Sequence, residues 1–498
     1  MLINHSNLVR IGTLALITLV SACGDGGVSP NAESLRGQLL GSSTETVSAD
    51  GGNAAIAAVN SPVGVPMTNL SGLLKMTLPA LNGSAVASPP GVAFPCGFKV
   101  HKILYKTVGA AGESASASAA VYLPTGENAA CKADKLPVVL AAHGTTIDKA
   151  YDLSAAANFS SPSESMFYAL MFAAQGYVVV APNYAGYAGS DLGYHPYLIL
   201  DQQAKDMQDA LKAAKASGLF KSNDKLYITG YSQGGAVAVA TQRALEAAGT
   251  KPVAVAGLSG PLAMLNFGDR VMSGTVNRGA NFFTPMLITA AQKAYGNIYS
   301  LPEDIYGPTV KGFLPNYLPG INIQNDPNFG TLWSAPMLPD AVPGFGKGAN
   351  AILSSAARNA YLTDISGAQV INPLRMALQK NDLRSGWSPV SPLLLCGTSN
   401  DGTVFFENNT LPFIQYVENK RAQLGVAQKP LVKVDLNTQP NPADSYSSLR
   451  SAFITAYSAI TFESDRTGGA NSVDVHSSAA PFCYAAALGF FTTINNTP

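Results

Sequence analysis

Charge is scarce in this 498-residue chain: charged side chains make up 12%, and 31 basic residues balance 31 acidic ones. That is about half the usual share. It excludes the basic stripe that tracks nucleic acid, and no block of like charge marks an interaction tail. Histidine and cysteine are equally thin, five of each. No cysteine spacing matches a zinc pattern. Long apolar runs are nearly absent. Ile11–Val20 spans ten residues, too short to cross a bilayer, and no other segment reads as transmembrane. No internal repeat is evident. What is abundant is small: glycine, alanine and serine, as suits an exported protein with close backbone packing.

The first residues read as a targeting segment, with Arg10 as the positive region ahead of the short apolar run. Val20-Ser21-Ala22-Cys23 resembles the bacterial lipobox, which implies cleavage before Cys23 and lipidation of its thiol. The expected product is an exported lipoprotein at the outer membrane or cell surface, or a secreted protein, held to the membrane by its N-terminal lipid. Residues 1–23 are thus the signal segment and residues 24–60 a flexible, polar linker. The other cysteines, Cys96, Cys131, Cys396 and Cys483, are even in number and allow three connectivities. The preferred pairs are Cys96–Cys131 and Cys396–Cys483, since each brackets one end of the inferred core.

From residue 61 the chain reads as a core in two parts, 61–260 and 391–498, around an insertion at 261–390. Lys99–Val108 and Ser114–Leu123 alternate like antiparallel strands, whereas Leu136–Ala142, Tyr177–Ala181, Lys225–Thr229, Val253–Leu258, Pro392–Cys396 and Leu431–Asp435 read as buried parallel strands. Helical stretches alternate with them, so the expected class is α/β, a mostly parallel sheet with helices on both faces. The insertion carries Phe282, Phe283, Met286, Tyr295, Tyr299, Tyr306, Phe313, Tyr317, Phe329, Trp333, Met337 and Phe345 without strand alternation. A structureless loop of that length is improbable. A largely helical cap is expected, whose aromatics form its own core and whose underside lines the site.

Gly230-Tyr231-Ser232-Gln233-Gly234 lies between a strand and a helix. This is the G-x-S-x-G pattern, which lifts a serine clear of a sheet on a strained turn, the glycines being needed where a Cβ would collide. A serine hydroxyl needs a base, and the base needs a carboxylate to hold its tautomer. Of the histidines, only His476 follows Ser232 among core segments, in a polar loop expected before a final helix that follows Pro481. Asp401, in the turn after a buried strand, is the expected acid; Asp435 competes, and Asp474 is too close to His476. The oxyanion donors are expected at Gln233 and, in the loop His143-Gly144-Thr145-Thr146, at Thr145 with Thr146 second. His143 is expected to orient that loop and not to act as a base.

With this constellation assembled, the chain resembles the α/β-hydrolases, and most closely the secretory lipase family, the fungal type-A lipases and their bacterial relatives. Gly230-Tyr231-Ser232-Gln233-Gly234-Gly235 is similar to that family's elbow. Asn183-Tyr184-Ala185-Gly186-Tyr187 and His195-Pro196-Tyr197-Leu198 resemble its segment after the fourth strand. The acid loop, the late histidine and a cap between the sixth and seventh strands agree. The resemblance implies hydrolysis of apolar carboxylic esters (lipids, small esters or polyesters) through an acyl-enzyme, without metal or cofactor. A serine peptidase, an acyltransferase and a non-catalytic surface protein are the competing readings.

Overall fold

A computed structural model of the chain describes residues 30–60, 94–159, 163–312, 351–425, 429–467 and 473–496. The lipobox cysteine and the insertion residues Phe313, Tyr317, Phe329, Trp333, Met337 and Phe345 fall outside these residues.

Among the described residues nine strands form one sheet: β1 (Leu39–Val47), β2 (Gly97–Val108), β3 (Ser114–Thr125), β4 (Leu136–Ala142), β5 (Val178–Pro182), β6 (Ser222–Tyr231), β7 (Ala254–Leu258), β8 (Leu393–Gly397) and β9 (Leu431–Asp435). Their order is β1-β2-β3-β5-β4-β6-β7-β8-β9. The first three are joined antiparallel, β3 also pairs antiparallel with β5, and every other pair is parallel. Valine, isoleucine, leucine and alanine fill β4 to β8 because both faces are covered. Helices Leu200–Ala216 and Gln233–Ala247 pack in one core cluster; helices Glu164–Met171 and Val475–Asn496 pack in the other.

Three features differ from expectation. Residues 30–60, read as linker, fold as a short helix, the edge strand β1 and helix Ala49–Asn60. Strand β1 pairs with β2, and Arg36 donates to the buried carboxylate of Asp209 at 2.9 Å. The partly exposed, polar sequence of this edge (Leu-Leu-Gly-Ser-Ser-Thr-Glu-Thr-Val) hides it from a hydrophobicity reading. Second, the final helix begins at Val475 and runs through Pro481, so His476 sits in its first turn. Asp474 caps it, accepting Ser477 N–H at 3.2 Å and Ser477 Oγ–H at 2.7 Å. Third, Val475–Asn495 is long and apolar enough to cross a membrane, with mean hydropathy 1.2, yet 67% of that window is buried inside the protein. It is a core helix.

Between β7 and β8 the described insertion is helical: Met264–Met272, Ala280–Tyr295, Pro302–Ile305, Ser355–Ile365 and Pro373–Lys380. Phe282, Met286 and Tyr306 are buried within it, while Phe283 turns toward the elbow. Arg375 ties three of its helices together, bonding Asp269 at 2.7 Å and Asp364 at 2.8 Å. Disulfides join Cys96 to Cys131 and Cys396 to Cys483. The second links the end of β8 to the helix that carries His476.

Candidate active site

Strand β6 ends at Tyr231, and helix Gln233–Ala247 starts one residue after Ser232. Ser232 itself has φ 59° and ψ −123°, a conformation that a non-glycine residue holds only under local constraint. The constraint is close packing. A Cβ on Gly230 would lie 2.3 Å from Gly234 O, and one on Gly234 would lie 2.0 Å from Ala142 O. Ser232 N–H donates to Leu258 O at 2.9 Å, which pins the turn to β7. The side chain is left half-exposed at the N-terminus of a helix, where the backbone dipole favours negative charge.

His476 Nδ1 lies 2.6 Å from Asp401 Oδ2. The other oxygen of Asp401 accepts Thr403 N–H and Val404 N–H, each at 2.8 Å, so the acid loop fixes its own carboxylate. Both partners are buried, Asp401 at 1% exposure and His476 at 7%. Burial pushes the imidazole pKa down, but the charge and hydrogen bond of Asp401 outweigh it, and the net shift is upward from 6.5. Nε2 makes no hydrogen bond to the chain, so none joins it to Ser232 Oγ. Such bonds are often long before substrate arrives. Tyr231, next to the serine, donates its hydroxyl to His476 O and packs its ring 5.1 Å from the imidazole. Asp435 is occupied elsewhere, accepting Ser399 N–H and Asn437 N–H, each at 3.0 Å.

Thr145 and Gln233 line the same cavity as Ser232, and Thr146 does not. Thr146 O instead accepts the Tyr187 hydroxyl at 2.7 Å. Two histidines adjoin this loop and Gln233. His143 stacks on Tyr184 at 4.1 Å, and its ring nitrogens face Gly144 O at 2.6 Å and Asn183 O at 3.2 Å. Burial lowers its pKa to about 4, so it is neutral and donates to one carbonyl only. His195 faces Ala185 O through Nδ1 at 3.0 Å, while Nε2 lies 2.7 Å from the side-chain nitrogen of Gln233. Nδ1 therefore carries the proton, and Nε2 accepts from the glutamine. Burial pushes the His195 pKa to about 3.

Beneath the loop lies Glu164, which no motif in the sequence singles out. Gly144 N–H donates to both of its oxygens, at 3.1 and 2.9 Å, and the Tyr484 hydroxyl reaches it at 3.2 Å. Burial raises its pKa to about 7 against these bonds.

The cavity over Ser232 measures about 80 Å³. Met264, Phe267, Val271, Phe283, Leu374 and Leu378 of the insertion form its apolar wall, and among the described residues no charged side chain lines it. Among the described residues no group of three or more His, Cys, Asp or Glu could hold a metal.

Sheet order, elbow and covering helices define an α/β-hydrolase fold, and the chain resembles the secretory lipases. A family profile described as the prolyl oligopeptidase family matches residues 163–255. Among solved structures, a single-residue mutant of the rice cell wall degrading esterase LipA from Xanthomonas oryzae is 25% identical, with 91% of this chain and 97% of that one covered and a TM-score of 0.64. A putative hydrolase from Legionella pneumophila is 17% identical over 92% and 99%, with a TM-score of 0.63. Candida antarctica lipase A is 14% identical over 92% of each chain, with a TM-score of 0.51. No curated protein matches in sequence.

Proposed function

We infer that the protein is a serine carboxylic-ester hydrolase acting through Ser232, Asp401 and His476. The observation that carries this reading is the 2.6 Å contact between His476 Nδ1 and Asp401 Oδ2, with the imidazole packed on Tyr231, the residue before the strained, partly exposed Ser232. Asp401 holds the imidazole with its proton on Nδ1, which leaves Nε2 as the base. Nε2 takes the proton of Ser232 Oγ as the oxygen attacks the ester carbonyl. The backbone N–H groups of Gln233 and Thr145 receive the oxyanion, aided by the helix N-terminus. His476 then returns the proton to the departing alcohol, and water repeats the sequence on the acyl-serine.

The apolar, uncharged wall supports an uncharged acyl group. A cavity of about 80 Å³ is far below the 300–1,000 Å³ of ordinary ligand pockets, which supports short acyl groups over long ones. The neighbour described as a cell wall degrading esterase supports ester groups carried on a polymer, polyesters included. The profile match at 163–255 favours a second reading, a peptidase, since it spans the elbow. Among the described residues the cavity lining is uncharged, which weighs against recognition of a peptide terminus. Initial rates on p-nitrophenyl esters and on peptide p-nitroanilides separate the two; faster turnover of the anilides would overturn the ester reading.

The N-terminal sequence supports export as a lipoprotein anchored through Cys23, and the two disulfides suit an oxidising compartment. Mass spectrometry of the N-terminal peptide from the native host tests this; a free, unmodified Cys23 at the mature terminus would contradict it.

A further inference from the structure

Asp465 lies on the short helix Phe462–Thr467, outside every motif of the sequence, and its side chain is wholly buried. One carboxylate oxygen accepts Gly402 N–H at 2.7 Å, the residue after Asp401. The other accepts Val475 N–H at 3.0 Å, the residue before His476. Arg278, from the insertion, places Nη1 3.3 Å from that second oxygen and from Asp465 O, while its own N–H donates to Gly402 O at 2.9 Å. Asn277 adds a bond to Thr403 O at 3.0 Å and also lines the cavity. A buried carboxylate is costly unless paired and hydrogen-bonded, and here Arg278 pairs it while both backbone N–H bonds come from residues adjoining the acid or the histidine.

We propose that Asp465 is a positioning residue for the reaction: its carboxylate binds the acid loop and the histidine helix into one unit, with Arg278 of the insertion as its cation. The inference rests on the Ser232-Asp401-His476 reading. It assigns the insertion a second task beyond covering the cavity, that of fixing the distance between Asp401 and His476. The groups facing the imidazole are Asp401 and Tyr231 at the ring, Asp474 at the start of its helix, and Asp465 with Arg278 behind it. Asp465 therefore also contributes negative charge that favours the protonated ring.

The test is a pair of substitutions in the full chain, Asp465→Asn and Arg278→Gln. Three quantities are read: kcat and KM on a p-nitrophenyl ester, the acidic limb of the kcat/KM profile, and the rate at which a fluorophosphonate labels Ser232. In Asp465→Asn, kcat should fall about 10- to 100-fold with KM within about twofold, since a displacement near 1 Å is enough for that loss. Labelling should slow in parallel, and the acidic limb should move to lower pH. Arg278→Gln leaves the carboxylate's charge less compensated, so the limb should move to higher pH with a smaller loss of kcat. A purely structural role could lower the folded fraction but could not move the limb in opposite directions. Wild-type kcat and limb in both variants, or losses that only track unfolding, would overturn the proposal. Should Asp465→Asn fail to fold, Arg278→Gln decides by the same criteria. If the wild type accepts the label yet cleaves no ester, the substrate reading has failed, and the labelling rates still decide this one.

Discussion

Ser232 is held at a positive φ by contacts its neighbours allow only as glycines, so substitutions there act on geometry before chemistry. Gly234→Ala would drive a methyl group into Ala142 O, and backbone cannot move aside as a side chain can. We expect loss of at least about 100-fold in kcat/KM or loss of folded protein, read by circular dichroism beside the assay. For His476 the sign is set by its raised pKa. The base must be neutral, so kcat/KM should decline as pH falls, with its midpoint above 6.5; a midpoint well below 6 would contradict the Asp401 pairing. Glu164 gives a stability prediction. Its folded pKa is about 7 against an ordinary 4.5, so its contribution is fully present below 4.5 and is lost as pH rises through 7. Glu164→Gln should flatten that part of the Tm-against-pH curve. Ser232, Asp401 and His476 could be singled out in sequence because a local motif and a chain order point to them. Tyr231, Glu164 and Asp465 could not be given their tasks, since their partners lie 245, 20 and 63 residues away and no local pattern encodes those contacts.

Elements were legible where burial is uniform. The strands β4, β5, β7 and β8 and the second half of β6 are mostly apolar and buried, and the sequence reading finds each strand within a few residues of its observed bounds. Where burial is one-sided or interrupted the reading fails, as in β1, whose edge is polar, and in the final helix, whose Pro481 resembles a helix start. The insertion shows both sides: its lack of strand alternation foretold helices, but which helix faces the serine depends on how they pack. Met264–Met272, Ala280–Tyr295 and Pro373–Lys380 supply the apolar wall. Leu374→Ala should enlarge the cavity and move the preferred acyl chain to greater length, at a stability cost of about 2–5 kcal/mol. Rates across a p-nitrophenyl ester series before and after the substitution check it, and an unchanged optimum would place the acyl group elsewhere.

Across the whole molecule, catalytic parts far apart in sequence are tied by covalent and ionic links. The Cys396–Cys483 bond joins the strand before Asp401 to the helix behind His476, closing 87 residues. Replacing both cysteines with alanine should lower stability by about 2–4 kcal/mol, visible as a lower Tm that added reductant no longer changes. The sequence leaves three pairings open, and the preference for this one rests only on its bracketing an end of the core, whereas the class of fold followed from the alternation of strand and helix. The central claim is that Ser232 cleaves carboxylic esters inside an apolar pocket. The most direct measurement is the initial rate on p-nitrophenyl esters from acetyl to palmitoyl, for wild type and Ser232→Ala. The account predicts turnover that peaks at short chains and falls by at least about 10⁴-fold in the variant. Equal rates in both proteins, or a folded wild type inactive on every ester, would contradict it.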